Sequence, residues 1–104
     1  MNKENLVELI NYQDGAVVSK ELMKSSGGTV TLFAFGEGQN LSEHSTPYEA
    51  LLNVVDGKAE ITIDGVLHQL TAGQFILLPA GHPHAVKAIT KFKMVLIMIK
   101  REAR

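Results

Sequence analysis

A chain of 104 residues can bury one hydrophobic core and is too short to divide into two. Ten Lys and Arg against eleven Asp and Glu leave a net charge of −1, which excludes the basic surface that nucleic acid would require. The sequence has no cysteine, so disulfides, thiolate metal sites and a cysteine nucleophile are excluded as well. We therefore expect a single domain over residues 1–104 that does not bind nucleic acid.

The N-terminal residues are polar, and no run of about 18 apolar residues follows them. The sequence thus predicts neither a signal peptide nor a membrane span. A cytoplasmic protein without membrane contact is the expectation.

Residues 3–11 place apolar side chains at helical spacing and predict one short helix or helical turn, which lids a barrel or packs on a partner. From residue 16 onward the pattern is that of short strands bounded by Gly, Pro or Asp. Strands are predicted at 16–24, 29–35, 51–55, 59–63, 66–70, 74–78, 85–88 and 92–99. Hairpin turns are expected at Asp56-Gly57 and Asp64-Gly65. Many short strands with almost no helix predict an all-β sandwich or barrel.

The last strand is apolar on both faces. Phe92, Met94, Leu96 and Met98 alternate with Val95, Ile97 and Ile99. A strand of a small barrel normally has one face in water, so the second apolar face predicts a cover. A second copy of the chain is the expected cover, which makes a homodimer, and the N-terminal helix is the alternative.

Two histidine-bearing segments carry regularly spaced Gly and Pro residues. Residues 38–57 contain Gly38, His44 and Gly57, and residues 73–88 contain Gly73, Pro79, Gly81 and His84. This spacing resembles the two sequence motifs of the cupins, and in particular of small RmlC-like, Cupin_2-type domains. The resemblance implies a double-stranded β-helix, or jelly-roll, barrel with a short N-terminal helix. Thr46, Ala50 and Ala88 depart from the motif, since the family has a second histidine, a glutamate and an asparagine there.

The resemblance also implies a divalent metal such as Zn, Fe, Mn or Ni at the mouth of the barrel. Only His44 and His84 stand at ligand positions of the motif, whereas Zn sites in enzymes usually have three protein ligands. Glu49 can complete the set only if a β-bulge near Pro47 turns it inward, because strand alternation otherwise points it away from the face of His44. The face shared with His44 is expected to include Thr46, Ala50, Leu52 and Val54.

Two functional hypotheses follow. In the first, the mouth binds a small molecule, with His44 and His84 at its floor, Thr46 and Tyr48 at its edge and Leu52 in its apolar wall. In the second, a metal on the two histidines makes the protein a cupin enzyme of the dioxygenase or isomerase type. The structural alternative is that the two imidazoles simply form hydrogen bonds with each other, with Thr46 or with a water. The sequence names neither a catalytic residue nor a substrate, and His68 and His82 are expected at the surface.

Overall fold

The computed structural model describes residues 3–101. Within them it contains one 3₁₀ turn, Leu6–Glu8, followed by nine strands. The strands are β1 (Val17–Ser25), β2 (Gly28–Phe35), β3 (Asn40–His44), β4 (Glu49–Asp56), β5 (Lys58–Ile63), β6 (Val66–Thr71), β7 (Phe75–Leu78), β8 (His84–Ala88) and β9 (Phe92–Ile99). No helix among these residues has the length and apolar character needed to cross a membrane.

The strands form two sheets. The five-stranded sheet has the order β1-β2-β9-β4-β7 and the four-stranded sheet the order β3-β8-β5-β6. Every pairing between neighbouring strands is antiparallel. The chain passes repeatedly from one sheet to the other, as between β3 and β4 or between β7 and β8. This architecture confirms the predicted double-stranded β-helix, and the predicted N-terminal helix is present as a single 3₁₀ turn.

The core lies between the two sheets because each inner face carries alternate apolar residues. In β4, Ala50, Leu52 and Val54 are buried, as strand alternation predicts. Phe35 and Phe92 are fully buried and stack with ring centroids 4.5 Å apart. Burying each such large side chain contributes about 1.5–3 kcal/mol before the entropy of ordering is subtracted. The core therefore fixes the register that positions the ends of the strands.

The N-terminal segment packs on the outer face of the five-stranded sheet and does not lid the barrel. Ile10 is buried there in a second apolar cluster. The buried members of that cluster are Ile10, Leu32, Ala34 and Val95. Two polar contacts hold the segment: Tyr12 donates a hydrogen bond to the Asp56 carboxylate, and the Lys93 ammonium donates one to the carbonyl of Val7. Burial, reinforced by the Asp56 charge, raises the pKa of Tyr12.

Two features of the chain differ from the sequence prediction. Residues 40–44 form a strand, β3, which the polar sequence did not suggest. Asp56-Gly57 is not a hairpin turn, because β4 and β5 belong to different sheets. Gly57 has a φ of +77°, and a Cβ there would lie 2.1 Å from the carbonyl oxygen of Lys91. The predicted turn at Asp64-Gly65 is confirmed: it joins β5 to β6 with φ values of 51° and 79°.

One end of the barrel, here called the mouth, collects two loops. Residues 45–48 connect the end of β3 to the start of β4, and residues 79–83 connect the end of β7 to the start of β8. His44 closes β3 and His84 opens β8. The two crossings between sheets therefore place both histidines and the start of β4 at the same end of the molecule.

Candidate functional site

His44 and His84 face each other at the mouth. They are directly paired across β3 and β8, after an irregularity in register between Leu41 and His44. Their ring centroids are 4.4 Å apart, with the ring planes inclined at 64°. His84 is buried whereas His44 is exposed, so one ring forms the floor and the other faces solvent. The structure therefore brings together two imidazoles from segments that are distant in the sequence, as predicted.

Backbone carbonyls orient both rings. The Nδ1 atom of His44 lies 2.8 Å from the carbonyl oxygen of Ser42, and the Nδ1 atom of His84 lies 3.2 Å from that of His82. A carbonyl oxygen only accepts hydrogen bonds, so each Nδ1 carries the proton and donates it. In the neutral ring the other nitrogen, Nε2, then keeps a bare lone pair. The site thus offers two Nε2 acceptors without a proton.

Electrostatics favour the neutral form of the buried ring. Burial lowers the pKa of His84 below the ordinary histidine value, because the charged form would lose solvation. The carbonyl of His82 opposes this shift, and repulsion from a protonated His44 adds to it. His84 is therefore an acceptor over the neutral pH range.

Thr46 and Tyr48 lie in the loop between β3 and β4. The Thr46 hydroxyl bonds the backbone of Tyr48 on both sides, accepting from its N–H at 3.2 Å and donating to its carbonyl at 3.3 Å. Strand alternation does not carry from His44 to Thr46, because β3 ends at His44. Tyr48 is partly exposed at the mouth, and Leu52 is fully buried in the core cluster. Thr46 thus shapes the loop, and Leu52 is part of the core.

Glu49 lies on the face of β4 opposite Ala50, and there is no bulge near Pro47 to turn it inward. Its Oε2 atom accepts a hydrogen bond of 3.2 Å from the backbone N–H of Ala80. Gly81 in the same loop donates to the carbonyl of Thr46 at 2.8 Å. Glu49 therefore fastens the loop 79–83 from one side.

His82 and Asp64 fasten the same loop from the other side. The Nδ1 atom of His82 donates to the Asp64 carboxylate at 2.6 Å, and the backbone N–H of Asp64 donates to the carbonyl of Pro83 at 3.0 Å. The loop held in this way carries the His82 carbonyl that orients His84. The sequence placed His82 at the surface, where it is, but gave no sign of its pairing with Asp64, which is 18 residues away. His68, which the sequence also placed at the surface, is half-buried on β6, where it pairs with the buried Ile61.

The donor set falls short of a catalytic metal site. Among residues 3–101, no three His, Asp or Glu side chains lie close enough together to hold a metal. The two Nε2 lone pairs suit a transition metal, and Nδ1–H donation to a carbonyl is the usual support for a ligating imidazole. The three protein ligands usual for catalytic zinc are not present among these residues. No catalytic step through a metal follows from this arrangement.

The fold and the site define a class of protein: a β-barrel of two antiparallel sheets with a pair of histidines at its mouth. The family model described as the cupin domain matches residues 31–100. The chain belongs to this family. The sequence resemblance is thereby confirmed.

Solved structures of similar proteins agree along nearly the whole chain. A conserved protein of unknown function from Streptococcus pyogenes is 33% identical, with a TM-score of 0.92 over 98% of this chain and 90% of that one. A cupin superfamily protein from Desulfitobacterium hafniense is 28% identical, with a TM-score of 0.91 over 97% of this chain and 95% of that one. The likeness to both covers both histidine-bearing segments.

A curated relative carries an enzyme name. Quercetin 2,3-dioxygenase from Bacillus subtilis is 36% identical over 67 residues. The match covers 64% of this chain but only 18% of that enzyme. The chain thus corresponds to a small part of the relative's length.

Proposed function

We propose that the protein binds a small molecule at the mouth of its barrel, with the Nε2 atoms of His44 and His84 accepting hydrogen bonds from it. The observation that carries this proposal is the backbone anchoring of both Nδ1 atoms. Rings held in this way keep one nitrogen each, Nε2, free of the backbone bond and available as an acceptor, so they favour a ligand with hydrogen-bond donors, such as hydroxyl or amine groups.

The surrounding structure supports a binding role. Pre-oriented groups lose little conformational freedom when a ligand arrives, which increases affinity. The loop carrying the His82 carbonyl is fastened by Glu49 on one side and by Asp64 on the other. The buried floor at His84 strengthens hydrogen bonds because fewer waters compete for them.

A metal-dependent enzyme is the second candidate. Two bare Nε2 atoms favour it, as does the enzyme name of the Bacillus subtilis relative. Against it stands the missing third protein ligand, since Glu49 is turned outward and bonded to Ala80. A metal such as Zn, Fe, Mn or Ni held by two imidazoles would need waters to complete its coordination, and it would bind less tightly than at a three-ligand site.

Metal content separates the two candidates. Protein purified without an affinity tag is equilibrated with each metal in turn, dialysed, and analysed together with His84→Gln and the control His68→Gln. For a binding module we expect metal well below one equivalent in all three proteins. If the unaltered protein and His68→Gln each retain one equivalent of metal and His84→Gln does not, the metal site is established and the enzyme is favoured.

We also propose that the outer face of the five-stranded sheet packs against a second copy of the chain. One apolar row crosses all five strands of this face: Met23, Val30, Ile97, Leu51 and Leu77. Leu77 and Met23 are each 60% exposed, as is Phe75 beside the row, and Ile99 is 57% exposed. The N-terminal segment covers only the part of this face around Val95.

The size and the neutrality of the row favour an identical partner. At about 200 Å² per large side chain, the four exposed residues leave on the order of 450 Å² of apolar surface, over half of the roughly 800 Å² each partner buries in a standard interface. None of the five residues in the row is charged. Glu49 pairs with Ile99 at the edge of this face, where its carboxylate accepts a hydrogen bond from the Ala80 N–H.

A further inference from the structure

We infer that the mouth contains a second subsite, lined by Lys24 and Lys100, that binds the anionic group of an organic acid. This inference rests on the proposed function, which places the ligand at the mouth. It adds that the ligand carries a negative charge. A cavity of about 330 Å³ opens beside the turn between β1 and β2. Its lining is Lys24, Ser25, Ser26, Gly28, Thr29, Tyr48, Met98 and Lys100.

Strand register places this cavity at the mouth. Lys24 pairs with Thr29, Thr29 with Met98, and Met98 with Ala50, so the four form one row across neighbouring strands. Directly paired residues point to the same face of a sheet. Ala50 belongs to the core and Met98 packs against it, so this is the inner face.

The same row is connected to the histidine pair through the loop of residues 45–48. Ala50 lies at the start of β4, directly beyond this loop, and His44 lies at its other end. Tyr48 belongs to the loop and lines the cavity. The last inner row of the five-stranded sheet and the pair His44–His84 of the four-stranded sheet therefore lie at the same end of the barrel, joined by this loop.

The lining has the chemistry of an anion site. The residues that line the cavity include two lysines and four residues that carry hydroxyl groups, of which the Ser25 hydroxyl already accepts from the Gly27 N–H. Among the described residues the lining includes no Asp or Glu. Within residues 3–101 the single ion pair is His82–Asp64, so neither lysine has a carboxylate partner in that range. Lysine ammonium groups and hydroxyls both donate to carboxylate oxygens.

The other residues that line the cavity favour an organic ligand over an inorganic ion. Met98 and the ring of Tyr48 provide apolar surface next to the charged groups, and a volume of about 330 Å³ is within the range of small-molecule sites. A bare inorganic ion would leave this surface unused. A carboxylate on a small ring or short chain uses both parts of the lining, and a hydroxyl on the same molecule is the group that would reach Nε2 of the histidines.

Benzoate and benzamide test the charge requirement, since they share a ring and differ in charge. Each is titrated into ¹⁵N-labelled full-length protein, and the amides of residues 25–29 and 48 are followed by NMR. We expect benzoate to shift these signals and benzamide to bind roughly fivefold more weakly, as the loss of exposed ion pairs implies. High salt should weaken only benzoate.

Variants assign the binding to the two lysines. Lys24→Gln with Lys100→Gln should reduce benzoate affinity to that of benzamide. Lys20→Gln is the matched control, because Lys20 is exposed on the same strand but pairs with Leu32 on the outer face. Equal affinity for the two probes, or benzoate binding that survives the double substitution, would overturn the subsite.

A third probe separates this inference from the proposed function. 4-Hydroxybenzoate should bind more tightly than benzoate, and His84→Gln should abolish only that difference. If the lysine subsite is right and the histidine site is wrong, the hydroxyl adds nothing while charge still matters. If the reverse holds, phenol shifts the His84 signals and the charge has no effect.

Discussion

His44 and His84 are paired directly across β3 and β8, with ring centroids 4.4 Å apart and each Nδ1 bonded to a backbone carbonyl two residues earlier in the chain. The repetition of the same local bond in both strands gives the two rings the same tautomer. When both Nε2 atoms lack a proton, the two rings cannot form a hydrogen bond between these atoms, since neither Nε2 is a donor. The pair therefore needs donors from outside.

Acidification should destabilise the fold through His84. Because burial lowers the pKa of folded His84 below the unfolded value of about 6.5, the unfolded chain binds more protons as the pH falls through that value. The stability contributed by the neutral ring is complete above about pH 6.5 and is lost as the pH falls toward the folded pKa. Chemical denaturation between pH 8 and pH 5 measures this loss.

Two variants provide the comparison for that measurement. His84→Gln should show a smaller decrease in the free energy of unfolding over the same pH interval. His82→Gln, at an exposed position in the same loop, should keep more of the decrease than His84→Gln. Parallel pH profiles for His84→Gln and the unaltered protein would contradict the assignment to His84.

Removing the Glu49 carboxylate should loosen the loop 79–83 without unfolding the barrel. Glu49→Ala loses the bond to the Ala80 N–H, and because both groups are exposed we expect a cost of about 1 kcal/mol or less. Hydrogen exchange of the loop amides should accelerate. Glu49→Gln retains an acceptor oxygen and should exchange nearly as slowly as the unaltered protein. A loss of bound metal on Glu49→Ala would instead identify Glu49 as a ligand.

Introducing charge on the apolar row should dissociate a dimer. We expect analytical ultracentrifugation to report a dimer for the unaltered protein and a monomer for Leu77→Glu, because the new carboxylate would be buried without a partner. Leu67→Glu is the control, since Leu67 is 62% exposed on the other sheet. A monomer before any substitution would refute the pairing of these faces.

Gly57→Ala should destabilise the protein strongly. A Cβ at this position would meet the Lys91 carbonyl at 2.1 Å, and the φ of +77° is unfavourable for Ala in any case. We expect a loss of more than about 2 kcal/mol. Gly15→Ala, with a similar φ of +72° and no atom within 4 Å of its Cβ, isolates the backbone strain and should cost only about 1 kcal/mol. Equal losses would mean that the chain around Lys91 can move away.

The barrel was predictable because the sequence repeats short apolar segments between turn residues, and because Gly and Pro stand at fixed distances from the two histidines. Alternation within β4 places Ala50, Leu52 and Val54 in the core and Glu49 outside it, as predicted, although it does not extend back through the loop to His44. These are local rules, and they operate within one strand.

The features that could not be predicted depend on contacts between segments that are far apart in the sequence. Asp56-Gly57 has the composition of a hairpin turn, yet it passes between sheets because β4 pairs with β7 and β9 and not with β5. The clasp between Asp64 and His82 joins two loops that only the folded chain brings together. The cavity at Lys24 and Lys100 likewise needs the turn between β1 and β2 to lie beside the end of β9, and no spacing in the sequence relates these segments.

The tautomer of the two rings is the most direct test. Long-range ¹H–¹⁵N spectra of the unaltered protein labelled at histidine report all four histidines, and the single variants His68→Gln and His82→Gln identify the signals that do not belong to His44 and His84. At pH 7.5 we expect protonated Nδ1 and unprotonated Nε2 in both rings. A proton on Nε2 of either ring would contradict the paired acceptors on which the binding site is built.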